Sequence, residues 1–520
     1  MAFFPLDQPA QPEQDSASSR GVPAGVRAGR MPRLRAQAFA LGAAALLLSA
    51  CATVEPEPAQ LSFALPAEFA AHPGEAFAGS EHWWQGFGDA RLDQFVTTAL
   101  QSNPALAQAL ARVRIAEAQA RVSRADRWPQ ISLGSTHARQ RQNLEGMLPG
   151  LEGSLLSNNH DLTLDVSWEL DLWGRLAAMS AASRTDFLAS AERLRGMRQS
   201  VAAQVAQLYF EIVHARAQVD LSTRTVEVLQ EMARQIDNRV AVGIASPADA
   251  MLANANLESA RAGLEQRSEA LQRSLRQLEV QLGGYPLGTL QTSQQLPPIP
   301  APPATGVPAE LLARRPDVRA AELAVRSAGY QLGAAERSLL PSIALSGSGG
   351  FSSSELSDLF GSDTLIWSIA GRILQPVFQG GRLVAQVDIA GGQREEALHA
   401  YGETALTALA EVESALVVEK LLARRERALE ASASAAEQAV TVSFNRYLQG
   451  IDPFLNVLES QQRALDGRSA QISAHHAQLE NRIALHLALG GGFDGAAVNT
   501  RATSTPPAAT DAGPDPVSNP

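Results

Sequence analysis

The sequence contains one unit twice, and this duplication constrains the fold more than any other feature of the chain. Two prolines recur at a spacing of 212 residues early in the unit, and short motifs recur at a spacing of 207 residues in the rest of it. Two constant spacings indicate an internal duplication, and the difference between them belongs in a loop, where length varies most freely. The matching positions are Pro104 and Pro316, Pro129 and Pro341, Gly174 and Gly381, Gly243 and Gly450, and Leu282 and Leu489.

Each copy predicts the order helix, strand, loop, strand, very long helix, turn and helix. The first helix ends before Pro129 in one copy and before Pro341 in the other, because proline cannot continue a helix. Residues 162–170 alternate apolar and polar side chains, which is the period of a strand with one wet face. Polar loops are expected at roughly 138–161 and 350–364. The strands are typical of a membrane barrel, and an ordinary soluble hairpin is an equal alternative.

Two proline-free runs, 175–246 and 382–452, predict long helices. A helix over most of either run would be about 100 Å long. The first run carries a coiled-coil seam with apolar residues at alternating spacings of four and three. Glu419 interrupts the corresponding seam of the second run, and a plain helical hairpin or filament-like scaffold is an alternative interpretation. The seam residues are Val201, Val205, Leu208, Ile212 and Ala215.

Both long helices are expected to end in equivalent turns, which would place the two turns at one tip of the molecule. Each turn has a glycine that stops the helix, an N-cap residue, and a proline at the first position of the next helix. These residues are Gly243, Ser246 and Pro247 in the first copy and Gly450, Asp452 and Pro453 in the second.

The N-terminal part of the chain predicts a lipoprotein signal. An apolar run at 36–50 is too short to cross a bilayer and is typical of a signal-peptide core. Cys51, the single cysteine, follows Leu48-Ser49-Ala50, an order that resembles the bacterial lipobox, so Cys51 is expected to carry a covalent lipid. A buried thiol in a helix is the alternative. Residues 1–30 are polar and proline-rich, so we expect translation to start at Met31.

These features divide the chain into six segments. No stretch after the signal approaches 18 consecutive apolar residues, so no further transmembrane helix is expected. The segments are a signal peptide at 1–50, an N-terminal segment at 51–102, the first copy at 103–285, a proline-rich linker at 286–310, the second copy at 311–493 and a disordered tail at 494–520.

Composition and motifs argue against several classes of function. One cysteine excludes an internal disulfide or a multi-cysteine metal site. The 54 acidic residues exceed the 43 basic ones, and the formal net charge of −11 without a basic aromatic patch argues against nucleic-acid binding. The nine histidines are scattered, with His475-His476 the only cluster and no metal-ligand spacing. No phosphate loop or nucleophile elbow is present, so neither an enzyme activity nor a metal or other cofactor is expected.

The strand count predicts an oligomer. Four strands cannot close a membrane barrel, since small membrane barrels need about eight or more. The helical arms have the same limitation, because four arms can wall a tube only together with those of other chains. The residues alone leave open whether the strands are soluble or shared among two or three chains.

Several longer motifs occur together between about Cys51 and Phe493. They are Trp83-Trp84, the stretch Trp168–Arg175 (WELDLWGR), the stretch Leu311–Val318 (LLARRPDV), Pro376-Val377-Phe378, and Leu489-Gly490-Gly491-Gly492. In combination they resemble the TolC-like outer-membrane factor family, in its OprM/NodT lipoprotein branch.

The resemblance implies a mostly α fold with a small β-barrel part. The duplicated long helical hairpins would form a trimeric α-barrel, and four strands per chain would enter a shared 12-stranded membrane β-barrel. It also implies a passive exit duct in the cell outer membrane that extends into the periplasm. The chain would form a homotrimer. Its implied partners are outer-membrane lipids, a periplasmic adaptor protein and an inner-membrane pump, most often of the resistance-nodulation-division type. A lipid-tethered periplasmic coiled-coil scaffold is the alternative from another class.

The resemblance also implies site residues. Leu455 and Glu459 correspond to a periplasmic gate, where symmetry-related apolar side chains can close a pore and a carboxylate ring favours cations. The family often has arginine three residues after this acid. Here the residue is Gln462, followed by Arg463, so a locking salt bridge is not expected; without the resemblance, Glu459 would be taken for a solvated helix charge. The expected adaptor-contact tips are Gly243, Pro247, Gly450, Asp452 and Pro453.

Overall fold

The computed structural model describes residues 55–70, 82–143 and 154–491. All of these residues belong to one unit of the chain, Thr53–Pro520. The signal segment with the proposed start at Met31, the lipidation candidate Cys51 and the tail lie outside the described residues. None of the helices in the described ranges combines the length and the apolar run that crossing a membrane requires.

Helices and strands follow the same order in both copies, as the sequence predicted. The first copy contains α2 (Pro104–Ala125), β1 (Gln130–Asn143), β2 (Ser154–Leu170), α3 (Arg175–Ala241) and α4 (Pro247–Gln281). The second contains α6 (Pro316–Arg337), β3 (Ser342–Ser353), β4 (Leu365–Leu374), α7 (Arg382–Leu448) and α8 (Phe454–Ala488). Two further helices are α1 (Ala90–Ser102), which precedes the first copy, and α5 (Pro308–Arg314), which begins within the predicted linker.

Corresponding helices of the two copies have equal lengths. The long helices α3 and α7 each contain 67 residues, and the return helices α4 and α8 each contain 35 residues. A helix of 67 residues rises about 100 Å, as the proline-free runs predicted. Most of the predicted seam of α3 is buried, including Val205 and Ile212, which belong to a hydrophobic cluster that α1, α4 and α8 share.

The four strands form one antiparallel sheet in the order β1-β2-β3-β4. The loops between the strands of each copy are shorter than expected. Residues 138–143 pair with residues 154–159 as continuations of β1 and β2, so the loop expected at roughly 138–161 was too long. The second loop, expected at roughly 350–364, is closer to its predicted bounds, since β3 ends at Ser353 and β4 begins at Leu365.

The WELDLWGR stretch turns the chain from β2 into α3. The carboxylate of Asp171 accepts hydrogen bonds from the backbone N–H groups of Leu176 at 3.0 Å and Ala177 at 2.7 Å, which satisfies two donors of the first helical turn. Gly174 lies between Asp171 and Leu176 in the sequence. It has φ +76°, a left-handed conformation that residues with side chains rarely adopt. The motif therefore sets the direction in which the helix leaves the sheet.

The LLARRPDV stretch joins the second copy to the end of its last helix. The buried guanidinium of Arg315 donates to Asp317 at 2.6 Å, to Glu411 on α7 at 2.6 Å and to the carbonyl of Ala488 at 3.1 Å. Arg314 donates to the carbonyl of Leu489 at 3.1 Å. These bonds fix α6, α7 and the end of α8 against one another at the base of the helical hairpin.

Candidate functional site

The sheet has two chemically different faces. Since the register is continuous through all four strands, alternate residues of each strand fall on one face. One face is apolar and exposed, and the opposite face carries mainly small and polar side chains. The exposed apolar residues include Ile131, Leu133, Leu164, Trp168, Leu345, Trp367, Ile369 and Ile373. Residues of the opposite face include Ser132, Thr163, Asp165, Ser167, Ser346, Ser348, Ser368 and Arg372.

The sheet is also open at both edges. Within the described part of the chain, β1 pairs only with β2, and β4 pairs only with β3. Unpaired strand edges present rows of backbone donors and acceptors that bind another strand. The sheet can therefore accept a further strand at each edge.

The tip of the first copy forms as the sequence predicted. Gly243 adopts φ +77° and ends α3, and Pro247 is the first residue of α4. The hydroxyl of Ser246 accepts a hydrogen bond at 3.1 Å from the backbone N–H of Ala248. Ser246 is thus the N-cap of α4.

The tip of the second copy differs from the prediction. Gly450 has φ +73° as expected, but Pro453 occupies the N-cap position and α8 begins at Phe454. Asp452 was expected to be the N-cap and Pro453 the first residue of the helix, and both expectations were wrong. Its carboxylate instead binds the guanidinium of Arg446 through two hydrogen bonds of 2.6 Å and 3.1 Å, which lowers the pKa of Asp452 and raises that of Arg446.

The two tips contact each other through Tyr447. Its hydroxyl donates to the carboxylate of Asp249 in the first copy at 3.2 Å, and its ring lies 5.7 Å from the guanidinium carbon of Arg239. Burial and the neighbouring Asp249 raise the pKa of the Tyr447 hydroxyl. Tyr447 and Phe454 belong to a small hydrophobic cluster with residues of α3 and α4. The five expected tip residues are therefore brought together at one end of the molecule.

The gate candidates lie on the first turns of α8, next to this tip. Leu455 is exposed although it is apolar, and Glu459 lies one turn further on the same face. The Glu459 carboxylate is 3.4 Å from the guanidinium of Arg463. That pair lies within one helix, so it does not lock two helices together.

Sequence reasoning missed one close group of ionisable residues. Glu211, His214 and His476 approach one another although His476 is far from the other two in the sequence. The only local signal was Glu211 three residues before His214, a spacing that places both on one helix face.

Comparison with known proteins identifies the family. The model of the family described as Outer membrane efflux protein matches residues 95–284 and 307–491, one match in each copy. Outer membrane protein OprJ of Pseudomonas aeruginosa is 34% identical over 415 residues, which cover 79% of this chain and 86% of OprJ. The chain belongs to the outer membrane efflux protein family.

Solved structures of outer-membrane channels agree with this assignment. The outer-membrane channel OprN is similar with a TM-score of 0.77 and 27% identity, over 85% of this chain and 99% of that one. The open state of the Neisseria gonorrhoeae MtrE outer membrane channel is similar with a TM-score of 0.72 and 27% identity, over 84% and 97% of the two chains. As a member of this family, the protein is an outer-membrane channel component of an efflux system.

Proposed function

We propose that three copies of this chain assemble into one passive export duct of a tripartite efflux system. The strands would close a 12-stranded barrel in the outer membrane, and the helices would form a tube in the periplasm. The two-faced sheet with open edges is the observation that carries this proposal.

The sheet supports the barrel through its length and its chemistry. A strand that crosses a bilayer needs about 9–11 residues, and the four strands contain 14, 17, 12 and 10 residues. An exposed apolar face is stable against lipid, and a polar face is stable around a water-filled lumen. Within lipid the two open edges must be paired, because unpaired backbone groups are costly there. Neighbouring chains can supply the missing strands.

The helices support a closed ring of chains. Within one chain, α3 of the first copy packs against α6 and α8 of the second copy. The duplication makes α7 the equivalent of α3, and it makes α2 and α4 the equivalents of α6 and α8. In the described residues, α7 has no extended contact with α2 or α4. In a ring, α7 of one chain would make these contacts with the next chain.

The tip supports a role in docking and gating. We infer that the residues around Gly243, Pro247, Gly450, Asp452 and Pro453 contact a periplasmic adaptor, and that an inner-membrane pump of the resistance-nodulation-division type supplies small molecules. The exposed leucine at 455 and the acid at 459 would form rings near the axis of the trimer. Three carboxylates near one axis would favour cations and repel anions.

Disulfide cross-linking between the edges of the sheet tests the proposal. In a Cys51→Ser background, one cysteine is placed in each edge strand near the helices, from positions 130–136 of β1 and 368–374 of β4. Because antiparallel neighbours bring these ends together, at least one pair is expected to form covalent trimers under oxidation, measured by non-reducing gels and mass spectrometry.

The matched control places cysteines at Gln130 and Ser167, which face each other within one sheet. That pair is expected to cross-link within the chain and to give no trimer. A complete scan in which no edge pair yields trimers, while the control pair closes, would overturn the shared barrel.

The expected lipid at Cys51 has a separate role in this proposal. Cys51→Ala is expected to abolish acylation and to leave trimer assembly intact, since the barrel anchors the protein independently of the lipid. Metabolic labelling with a fatty acid and the migration of unheated samples on gels measure the two properties separately. Loss of trimers in the unacylated protein would contradict the independence of the two anchors.

A further inference from the structure

One glutamate and two histidines form a cluster where the first copy meets the second. Glu211 and His214 lie on one face of α3, and His476 comes from α8. The carboxylate of Glu211 and one ring nitrogen of each histidine all lie within 4.8 Å of one another. The cluster is about 45 Å along α3 from the tip, so neither the gate nor the sheet accounts for it.

Two ring nitrogens of the cluster have no hydrogen-bond partner among the described residues. Nδ1 of His214 and Nε2 of His476 are buried, and they lie 3.5 Å and 3.6 Å from the same oxygen, Glu211 Oε2. His476 is only 6% exposed. Buried polar atoms without partners are rare and unfavourable, so a site that aims two of them at one carboxylate oxygen needs an explanation.

Ser473 and Gln218 contact His214 on the opposite side of its ring. The Ser473 hydroxyl donates to the carbonyl of Ser469 at 2.9 Å, and its oxygen lies 3.2 Å from Nε2 of His214. The amide nitrogen of Gln218 lies 3.3 Å from both groups and donates to the Ser469 carbonyl at 3.1 Å. Metal binding through Nδ1 requires the tautomer in which Nε2 carries the proton and donates to the Ser473 oxygen. Outer hydrogen bonds of this kind orient histidines that bind metal ions.

Two of the three distances between the ligand atoms are close to those around a tetrahedral ion. Zinc bonds of about 2.0–2.1 Å to nitrogen or oxygen place neighbouring tetrahedral ligands about 3.4 Å apart. The distances of 3.5 Å and 3.6 Å from Glu211 Oε2 to the two nitrogens are close to this value. The two rings are stacked, with centroids 4.7 Å apart and planes 14° from parallel. One ring must therefore turn about its Cβ–Cγ bond to bring both lone pairs onto one ion.

We propose that Glu211, His214 and His476 bind one divalent transition-metal ion, with Zn²⁺ as the best match to the donor set. Imidazole and carboxylate ligands suit zinc, and water would complete a four-coordinate site. Because the ligands come from α3 and α8, the ion would link the two copies within one chain. Only the spacing of Glu211 and His214 is visible in the sequence, because His476 comes from a separate helix.

The other histidine nitrogens near the cluster face different groups. On its other side, Nδ1 of His476 is 3.9 Å from the carboxylate of Glu480. The adjacent His475 points elsewhere, since its Nδ1 lies 2.6 Å from Glu426 and its Nε2 lies 2.9 Å from the carbonyl of Pro297.

Zinc titration of the full-length protein in detergent tests the site. After treatment with a chelator, the wild type is expected to bind one Zn²⁺ per chain by isothermal titration calorimetry, and its Tm should rise with added Zn²⁺. His476→Ala and Glu211→Gln should each weaken binding at least tenfold and remove the rise in Tm. Glu211→Gln preserves the side-chain shape, so it remains informative if His476→Ala fails to fold.

His475→Ala is the matched control, because it removes an imidazole one position away on the same helix. Its Zn²⁺ affinity should stay within about twofold of the wild type. The proposal is overturned if the wild type shows no saturable site, or if Glu211→Gln binds Zn²⁺ as tightly as the wild type. X-ray absorption of the zinc-loaded protein should show scattering from two imidazoles, and a shell of oxygen alone would equally exclude the site.

Discussion

The long helices α3 and α7 are equal in length and equivalent by duplication, yet they are buried very differently. Each has 67 residues, but 23 residues of α3 are buried and only nine of α7. The difference is clear at matched positions. Phe210 is fully buried and its counterpart Val417 is 49% exposed, while Ala182 is 3% exposed and its counterpart Ile389 is 60% exposed.

This difference is what we expect if α7 forms a subunit interface in the proposed trimer. Val417 and Ile389 are apolar like the buried residues that they match, so these exposed positions of α7 do not carry the polar side chains expected of a surface in contact with water. Since α3 is covered by helices of the other copy, α7 is expected to be covered in the same way by the next chain. The comparison between α3 and α7 thus supports the trimer that we propose from the open sheet.

The largest effect is expected from placing charges on α7. Val417→Asp combined with Ile389→Asp should abolish assembly, because every subunit interface would bury unpaired carboxylates at a cost of roughly several kcal/mol. Native mass spectrometry and the migration of unheated samples on gels measure the loss of trimers. Far-UV circular dichroism should show that the helices remain.

Arg427→Asp is the control for these charges. Arg427 is exposed on α7, and its counterpart in α3 is Asp220, an exposed acid. The control variant should assemble as the wild type does. Normal trimers in the Val417→Asp/Ile389→Asp protein would show that the exposed face of α7 is not the subunit interface.

A second difference lies in the packing of the return helices. In the first copy, Ile212 and Leu275 belong to one hydrophobic cluster. Their counterparts are Glu419 and Arg482, which form an ion pair between α7 and α8. The Arg482 side chain is almost fully buried and also donates to the carbonyl of Pro300 in the linker at 2.6 Å. This pair explains why Glu419 interrupts the apolar seam in the sequence.

Replacing the Glu419–Arg482 ion pair by the apolar pair of the first copy should separate the contribution of the ion pair from that of the hydrogen bond between Arg482 and Pro300. Glu419→Ile alone leaves a buried guanidinium without its carboxylate and should destabilise the protein by about 3 kcal/mol. Glu419→Ile with Arg482→Leu reproduces the first copy and should recover most of this loss, apart from the bond to Pro300. Thermal and denaturant unfolding measure both variants. A double variant as unstable as the single one would show that the position does not tolerate the packing of the first copy.

The sequence predicted the parts of this structure that depend on local chemistry. Glycine and proline fix the turns at the tips and the ends of the helices, and alternating apolar and polar residues mark β2. The order of the helices and strands could therefore be derived. The strand ends could not, because 138–143 is almost entirely polar, 154–159 does not alternate apolar and polar residues, and only their pairing with each other makes them strands. The role of Asp452 depends on Arg446 at the end of the preceding helix, which competes with the backbone for its carboxylate. The burial of Phe210 and the exposure of Val417 depend on which chain covers each face.

A third difference is confined to the gate. Leu455 and Glu459 of α8 correspond to Ala248 and Leu252 of α4, so only the second copy carries an acid there. We expect Glu459→Ala to raise the ion conductance of the closed channel by several-fold and to reduce its preference for cations. Conductance and reversal potential in planar bilayers measure both effects.

Glu258→Ala is the matched control for the gate. Glu258 is an exposed acid of α4 that pairs within its helix with Arg261 at 2.7 Å, much as Glu459 pairs with Arg463. The control should leave conductance and selectivity unchanged. Equal conductance of Glu459→Ala and the wild type would count against a gate at this position.

The smallest effects are expected at the turns, where the two copies use different chemistry for the same task. Ser246→Ala removes a neutral N-cap and should cost about 1 kcal/mol locally at any pH. Arg446→Gln removes the partner of Asp452. Because that partner lowers the Asp452 pKa, its contribution is present above the ordinary pKa of aspartate and is lost as pH falls through the lowered value.

The local stability of the tip should therefore depend on pH and salt concentration only in the second copy. Local protection of the amides near Gly243 and Gly450, measured by hydrogen exchange at several pH values and salt concentrations, separates the two cases. Ser246→Ala should reduce protection near Gly243 equally at low and high salt. The effect of Arg446→Gln near Gly450 should shrink in high salt, since an exposed ion pair is screened. An effect of Arg446→Gln that is independent of salt would show that the arginine acts by packing rather than by charge.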